Sequence, residues 1–215
     1  DGIDGAIGAT GATGPQGPQG PAGADGQGGV TTAGTNVTIT GAGTGLDPYV
    51  VNAGTCGLSI GDTYQGGIIF YLDATGCHGL IAAPSYQSNG IQWYNGSYSV
   101  TNAVRDGIGA GEFNTERIIA NQATGAYAAQ ICANYQGGNY GDWYLPSKYE
   151  LNLMYHNIGQ GNALGLGNVG GFFDNYYWSS TEFDNFNAWE QNFSDGYPYG
   201  SYKNNYGYVR AVRAF

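Results

Sequence analysis

The sequence predicts an α+β head domain that follows a collagen-like stalk and a short β-rich neck. Three observations support this organisation. Glycine recurs at every third position up to Gly29, and two β-prone runs separated by turn formers come next. The remaining chain presents apolar strands, then helical patterns, then strands again, which favours α+β over alternating βαβ units.

Residues 1–29 carry the Gly-X-Y repeat without interruption. Only Gly fits at the axis where three such chains meet, so the repeat predicts a homotrimeric stalk. A flexible Gly-rich linker is the alternative. Pro15, Pro18 and Pro21 directly follow Gly, which fits a bacterial or viral chain without prolyl hydroxylation. The chain begins at Asp1 in mid-repeat, and we expect its N-terminus to lie further upstream.

Residues 30–55 are predicted to form the neck. The runs TNVTIT and YVVNA flank the turn-rich GAGTGLDP, a pattern typical of a β-hairpin. A single hairpin is barely stable in water. We therefore expect three hairpins to bury their apolar side chains around the trimer axis. These side chains are Val37, Ile39, Tyr49 and Val51.

Residues 56–215 are predicted to form the head, which begins with strands in GGIIFYLD, GLIAAP and IQWY. Residues 115–135 show helical spacing that Gly125 divides into two helices. A third helix follows in SKYELNLMYHNI, where Ser147 and Glu150 have the spacing of a capping box. Its predicted buried stripe is Leu151, Met154, Tyr155 and Ile158. The last forty residues predict strands joined by Asn, Gly and Asp turns.

Charge and hydropathy exclude several classes of partner. The chain has a formal net charge of −10 and no basic run, so we expect no nucleic-acid partner. No apolar stretch is long enough to span a membrane. A polar surface with few charges suits an extracellular protein, on a bacterial cell or a virion. Such a surface also favours neutral polar ligands.

Three cysteines, Cys56, Cys77 and Cys132, form no CxxC motif. In an exported protein, one disulfide and one spare thiol are expected. Our first choice is Cys77 with Cys132, since both lie inside the predicted head, and Cys56 with Cys77 is the close second. Three reduced, buried cysteines are the alternative.

Several linked motifs in the head resemble one known family. They are GDWYLPSKYEL with Trp143, Leu145 and Pro146, then WSST from Trp178 to Thr181, then AW…NF, and a terminal VRAVR. The head resembles the Lcl C-terminal domain, a domain of unknown function similar in fold to C-type lectins and formylglycine-generating enzymes. The resemblance covers about residues 58–215 and implies a C-type-lectin-like head.

The family's namesake carries a similar domain at the end of a collagen-like stalk on a bacterial surface, as a trimer that adheres to sulfated glycosaminoglycans. Here the head has 12 acidic and 6 basic residues, and an acidic surface repels sulfated polymers. The resemblance therefore implies the architecture and glycan adhesion, without a sulfated ligand. No cysteine follows Cys132, so the late cysteine pair of the formylglycine-generating relatives is absent.

The apolar motif residues Trp143, Leu145, Pro146 and Trp178 are predicted to lie in the core, and Arg210 and Arg213 to form internal ion pairs. Candidate ligand-binding residues come instead from the Tyr-rich C-terminal turns, because exposed aromatic faces stack on sugar rings and amides match hydroxyl geometry. A Tyr-rich trimer interface or a packed hairpin is the alternative. The candidates are Trp189, Tyr197, Tyr199, Tyr202, Asn204, Asn205 and Tyr206.

No known catalytic motif is present, and His78 and His156 belong to none. We therefore expect no enzyme activity, no cofactor and no metal. The sequence favours a trimeric adhesin-like protein whose head binds a glycan or a surface receptor. The alternative is a structural docking or trimerisation component of a bacterial surface assembly, such as a secretion or gliding apparatus, or of a phage fibre, with protein partners.

Overall fold

Secondary structure is described for residues 37–54 and 56–215 of the computed structural model. The predicted stalk (1–29) and the start of the neck (30–36) lie outside the described residues. Within them, the strands are β1 (Val37–Thr40), β2 (Val50–Ala53), β3 (Thr63–Tyr64), β4 (Gly67–Leu72), β5 (Gly79–Ala82), β6 (Ser88–Ile91), β7 (Tyr176–Glu182), β8 (Asn187–Asn192), β9 (Pro198–Tyr202), β10 (Gly207–Val209) and β11 (Val212–Ala214). The helices are α1 (Ala110–Gln122), α2 (Ala128–Ala133) and α3 (Lys148–Ile158), with a short 3₁₀ helix at Gly137–Asn139.

The described part of the neck is the predicted hairpin. β1 and β2 pair antiparallel, with Ile39 opposite Val51. Along β1, Val37 and Ile39 are half-buried whereas the threonines between and after them are exposed. Val51 keeps 64% of its surface exposed. The hairpin of one chain therefore leaves apolar surface uncovered.

The head contains two sheets, which confirms the α+β class. One has four strands in the order β11-β5-β4-β3, and the other has five in the order β6-β10-β7-β8-β9. Within the five-stranded sheet, β10 runs parallel to β7 and the other pairs are antiparallel. Helix α3 packs against β4 of one sheet and against β7 and β8 of the other, so it joins the two layers.

Helix α3 begins as the sequence predicts. The Ser147 hydroxyl accepts a hydrogen bond from the Glu150 amide at 3.2 Å, and the Glu150 carboxylate accepts one from the Ser147 amide at 2.8 Å. The predicted stripe from Leu151 to Ile158 is buried. The two helices divided near Gly125 are also present, although α1 begins five residues before the predicted start, directly after Gly109 in a left-handed conformation (φ 77°).

The predicted core residues are in the core. Trp143, Leu145, Pro146 and Trp178 are all buried. The IQWY strand is wrong in its bounds, since β6 ends at Ile91. The chain leaves the sheet there because Trp93 turns into the core, where its indole donates to the Ser179 carbonyl oxygen at 2.8 Å.

The disulfide joins Cys56 to Cys77, whose Cα atoms are 5.1 Å apart. The preferred pairing of Cys77 with Cys132 is therefore wrong, and the second choice is the one observed. Cys132 is a free thiol on the inner side of α2, fully buried in the hydrophobic core. This packing keeps Cys132 away from the turn between β4 and β5 that carries Cys77.

The two C-terminal arginines behave differently. Arg213 forms the predicted ion pair, with Asp142. For Arg210 the prediction is wrong, because it forms no ion pair with a described residue. Its guanidinium donates instead to the carbonyl oxygens of Ala83 and Gly170, at 2.8 and 2.9 Å.

Candidate functional site

The two faces of the five-stranded sheet differ in what covers them near β8. Side chains alternate between faces along a strand. Gln191 points toward α3, where its amide nitrogen donates to the Asn152 side chain at 2.9 Å. Glu190 therefore points to the opposite face, together with its cross-strand neighbours Trp178 on β7 and Tyr199 on β9.

A groove opens on the Glu190 face. It has a volume of about 550 Å³ and is called the groove below. Tyrosine rings, a carboxylate, a hydroxyl and two amides make up its lining. The lining residues are Tyr176, Glu190, Ser201, Asn204, Asn205 and Tyr206.

The turn between β9 and β10 supplies half of this lining. Successive polar turn formers, Asn204 and Asn205, interrupt the two strands and reverse the chain. The Asn205 amide nitrogen donates to the Ser201 hydroxyl at 3.0 Å, and Gln92 donates to the Asn204 carbonyl oxygen at 2.8 Å. These bonds hold the turn in position while Tyr206 remains 72% exposed at the edge of the groove.

Glu190 is the unusual residue of the groove. It is only 9% exposed, and within the described chain it forms no ion pair. Burial raises the pKa of its carboxyl to about 7, and a hydrogen bond with the Ser201 hydroxyl opposes part of that rise. A carboxylate offers about four acceptor positions, so a ligand in the groove has positions left to occupy.

The structure brings together some of the predicted site residues and separates others. Asn204, Asn205 and Tyr206 line the groove. Tyr199 lies next to it, with its ring centroid 6.0 Å from that of Tyr176. Tyr197, which is 66% exposed, directly precedes β9. Burial and the hydrogen bond with Asp195 raise the pKa of the Tyr199 hydroxyl, and nearby Tyr197 adds to that rise.

Trp189 and Tyr202 lie on the other face of the sheet. Tyr202 is opposite Asn187 and Trp189 is opposite Gly200, which places both on the α3 side. The Trp189 ring contacts Phe183 and lies 4.6 Å from the Lys148 ammonium. A smaller pocket of about 220 Å³ lies on this side, lined by Asp106, Lys148, Tyr149, Asn152 and Pro198.

Three lining residues were not among the predicted site residues: Tyr176, Glu190 and Ser201. A signal for one of them exists in the sequence. In the strand NAWEQN, alternation of side chains places Glu190 on the same face as the apolar Ala188. The carboxyl group of Glu190 is therefore expected on a buried face. The strand register that places Ser201 and Tyr176 beside it is a long-range property.

The sequence pattern of the Lcl C-terminal domain matches residues 86–213. The chain belongs to this family. The matched range begins later than the expected residue 58, so β3, β4 and β5 precede it, although β5 pairs with β11 in the same sheet. No curated protein matches the chain.

The sequence motifs that this chain shares with the Lcl C-terminal domain lie in its core. The WYLPS segment begins α3 and the WSST segment forms β7, both buried. Across the described residues, His, Cys, Asp and Glu side chains nowhere gather in a group of three that could hold a metal ion. None of the helices α1 to α3 has the length and hydrophobicity of a membrane span.

Proposed function

We propose that this protein is a trimeric, extracellular, adhesin-like protein whose head binds a glycan or a surface receptor in the groove, at the tip of a collagen-like stalk. A C-type-lectin-like head is part of this proposal. The observation that supports it best is the groove itself, an open site with aromatic walls and polar side chains at its base.

The chemistry of the groove matches a sugar. The Tyr176 and Tyr206 rings offer apolar faces for the C–H face of a sugar ring. The side chains of Asn204 and Asn205, on the turn, and of Glu190, on β8, supply hydrogen-bond donors and acceptors for sugar hydroxyls in the same groove. Concave sites with apolar walls and a few convergent polar groups are typical of ligand-binding sites.

The trimeric part of the proposal rests on the neck and the glycine repeat. A two-stranded hairpin is marginal alone, and this one leaves Val51 64% exposed and Tyr49 46% exposed. Three chains joined by a Gly-X-Y stalk would bring three hairpins together and cover these side chains. Three grooves would then act together, which raises avidity without new contacts.

Glycan-array screening of the purified chain tests the proposal. We expect Tyr206→Ala to weaken binding by about tenfold, because it removes one aromatic wall. Tyr202→Ala is the matched control, since it removes another exposed tyrosine, from the opposite face of the sheet. Binding to no glycan would contradict the proposal, as would a loss caused by Tyr202→Ala alone.

A second candidate is a docking role with a protein partner in a bacterial surface assembly or a phage fibre. The observation that favours it is a cluster of exposed aromatic residues beside the end of β9: Tyr98, Phe186 and Tyr202. In a pull-down from the source envelope, a stoichiometric protein that Phe186→Ala releases and Tyr206→Ala retains would favour docking over glycan binding.

A further inference from the structure

The groove has one charged group, Glu190, and no described residue forms an ion pair with it. Of its six lining residues, only Glu190 carries a carboxyl group and none is basic. Lys203, which is next to the lining turn, points away, because its ammonium is 2.6 Å from Glu182. A ligand that carries a positive charge would thus meet an acceptor without a competing cation.

The groups around Glu190 are all neutral hydrogen-bonding groups or aromatic rings. Trp178 is opposite it on β7 and Tyr199 on β9, and Tyr176, Ser201 and Tyr206 line the groove with it. A further carboxylate, Asp195, accepts a hydrogen bond from the Tyr199 hydroxyl at 3.2 Å. Cations are attracted to the faces of tyrosine rings, so the walls and the base of the groove favour the same charge.

We propose that the groove selects glycans that carry a protonated amine, with the Glu190 carboxylate as acceptor for the ammonium group. This inference rests on the proposed glycan-binding function and specifies its ligand class. A hydrogen bond between two charged groups in a partly buried site is about twice as strong as a neutral one. A sulfated or carboxylated sugar would instead be repelled by Glu190 and by the acidic head.

The protonation of Glu190 gives the proposal a second observable. Because burial raises the pKa of this carboxyl to about 7, it holds a proton part of the time near neutral pH. An ammonium group beside it would lower that pKa, so the carboxyl would release its proton when the ligand binds. Neutral sugars have no such effect.

Matched pairs of oligosaccharides test the inference. The panel contains oligomers of glucosamine, galactosamine and mannosamine, each as the free amine and as the N-acetylated form, at about pH 7, where Glu190 is partly ionised, and at low ionic strength. For at least one pair, we expect the amine form to bind about tenfold tighter. Glu190→Gln, which keeps the size of the side chain, should remove this preference by weakening the amine form about tenfold more than the N-acetylated form.

Glu116→Gln is the control for general attraction to an acidic protein, because Glu116 is exposed on α1. It should leave the preference intact. Calorimetry in two buffers of different ionisation enthalpy should show more proton release with the wild-type chain than with Glu190→Gln. If glycans bind but no amine form is preferred, this inference is overturned and the proposed function stands. If no glycan binds, the proposed function fails and the inference with it.

Discussion

Two buried glutamates on neighbouring strands of one sheet have opposite surroundings. Glu182, at the end of β7, lies 2.6 Å from the Lys203 ammonium and accepts hydrogen bonds from the Thr101 and Asn102 amides at 2.9 Å. Lys203 has no exposed surface, and it also donates to the carbonyl oxygens of Ser99 and Asn185. We call this fully satisfied cluster the anchor. Glu190, one strand away, faces the groove, and among the described residues its hydrogen-bond partner is the Ser201 hydroxyl.

The different surroundings give the two carboxylates different roles: Glu182 stabilises the fold, whereas Glu190 is available to a ligand. The attraction within a buried ion pair offsets the free energy of desolvation only when further hydrogen bonds satisfy both partners. The anchor meets that condition. Lys203 directly precedes Asn204, so the anchor also fixes one end of the turn that lines the groove. The anchor therefore stabilises the shape of the groove. Of the two glutamates, Glu190 is the one with hydrogen-bonding capacity left for a ligand.

The largest effect is expected from breaking the anchor. Lys203→Met leaves the Glu182 carboxylate buried without a cation, which should lower the free energy of unfolding by about 3–5 kcal/mol. Chemical denaturation followed by tryptophan fluorescence measures this loss.

The double variant Lys203→Met with Glu182→Gln is the control for that experiment. It removes both charges, so it should be more stable than Lys203→Met alone. A single variant within about 1 kcal/mol of the wild type would mean that the pair contributes little, as exposed pairs do.

Local signals account for the parts of the fold that the sequence predicted well. The start of α3 depends on Ser147 and Glu150, three residues apart, and the hairpin of the neck on alternation within four residues. The wrong expectations concern long-range packing. Which cysteine meets Cys77, and which acceptors surround Arg210, depends on segments that lie tens of residues away.

The site shows the same limit. The pattern of turn formers beside tyrosines predicts a site at Asn204, Asn205 and Tyr206, which do line the groove. Sequence proximity also grouped Trp189 and Tyr202 with them, but neighbours along a strand point to opposite faces. Only the register between β8 and β9 shows that those two lie on the α3 side and that Glu190 is on the groove side.

A smaller effect is expected from Glu190→Gln in the absence of ligand. The pKa of this carboxyl is raised from 4.5 to about 7, so the folded chain keeps a proton that the unfolded chain loses between these values. The group therefore lowers wild-type stability as the pH rises through that window. After allowance for solvent screening, the variant should gain about 1–2 kcal/mol on the wild type between pH 4.5 and pH 8. Parallel denaturation series across pH measure the gain, and a difference that stays constant would show that Glu190 is ionised as freely as an exposed carboxyl.

The smallest effect, and the sharpest test of the contrast between the two glutamates, concerns the Ser201 hydroxyl that bonds Glu190. Its hydrogen bond with Ser201 favours the ionised carboxylate, so Ser201→Ala should raise the pKa of Glu190 above its wild-type value. The loss of one such bond should cost about 1 kcal/mol of stability at pH 8 and less at pH 5, where the carboxyl is protonated. A carbon-detected NMR titration of the Glu190 side chain follows the pKa directly. A pKa that fell or stayed unchanged would mean that another donor, such as water in the groove, already satisfies the carboxylate, and the groove would then hold less unused hydrogen-bonding capacity than its contacts indicate.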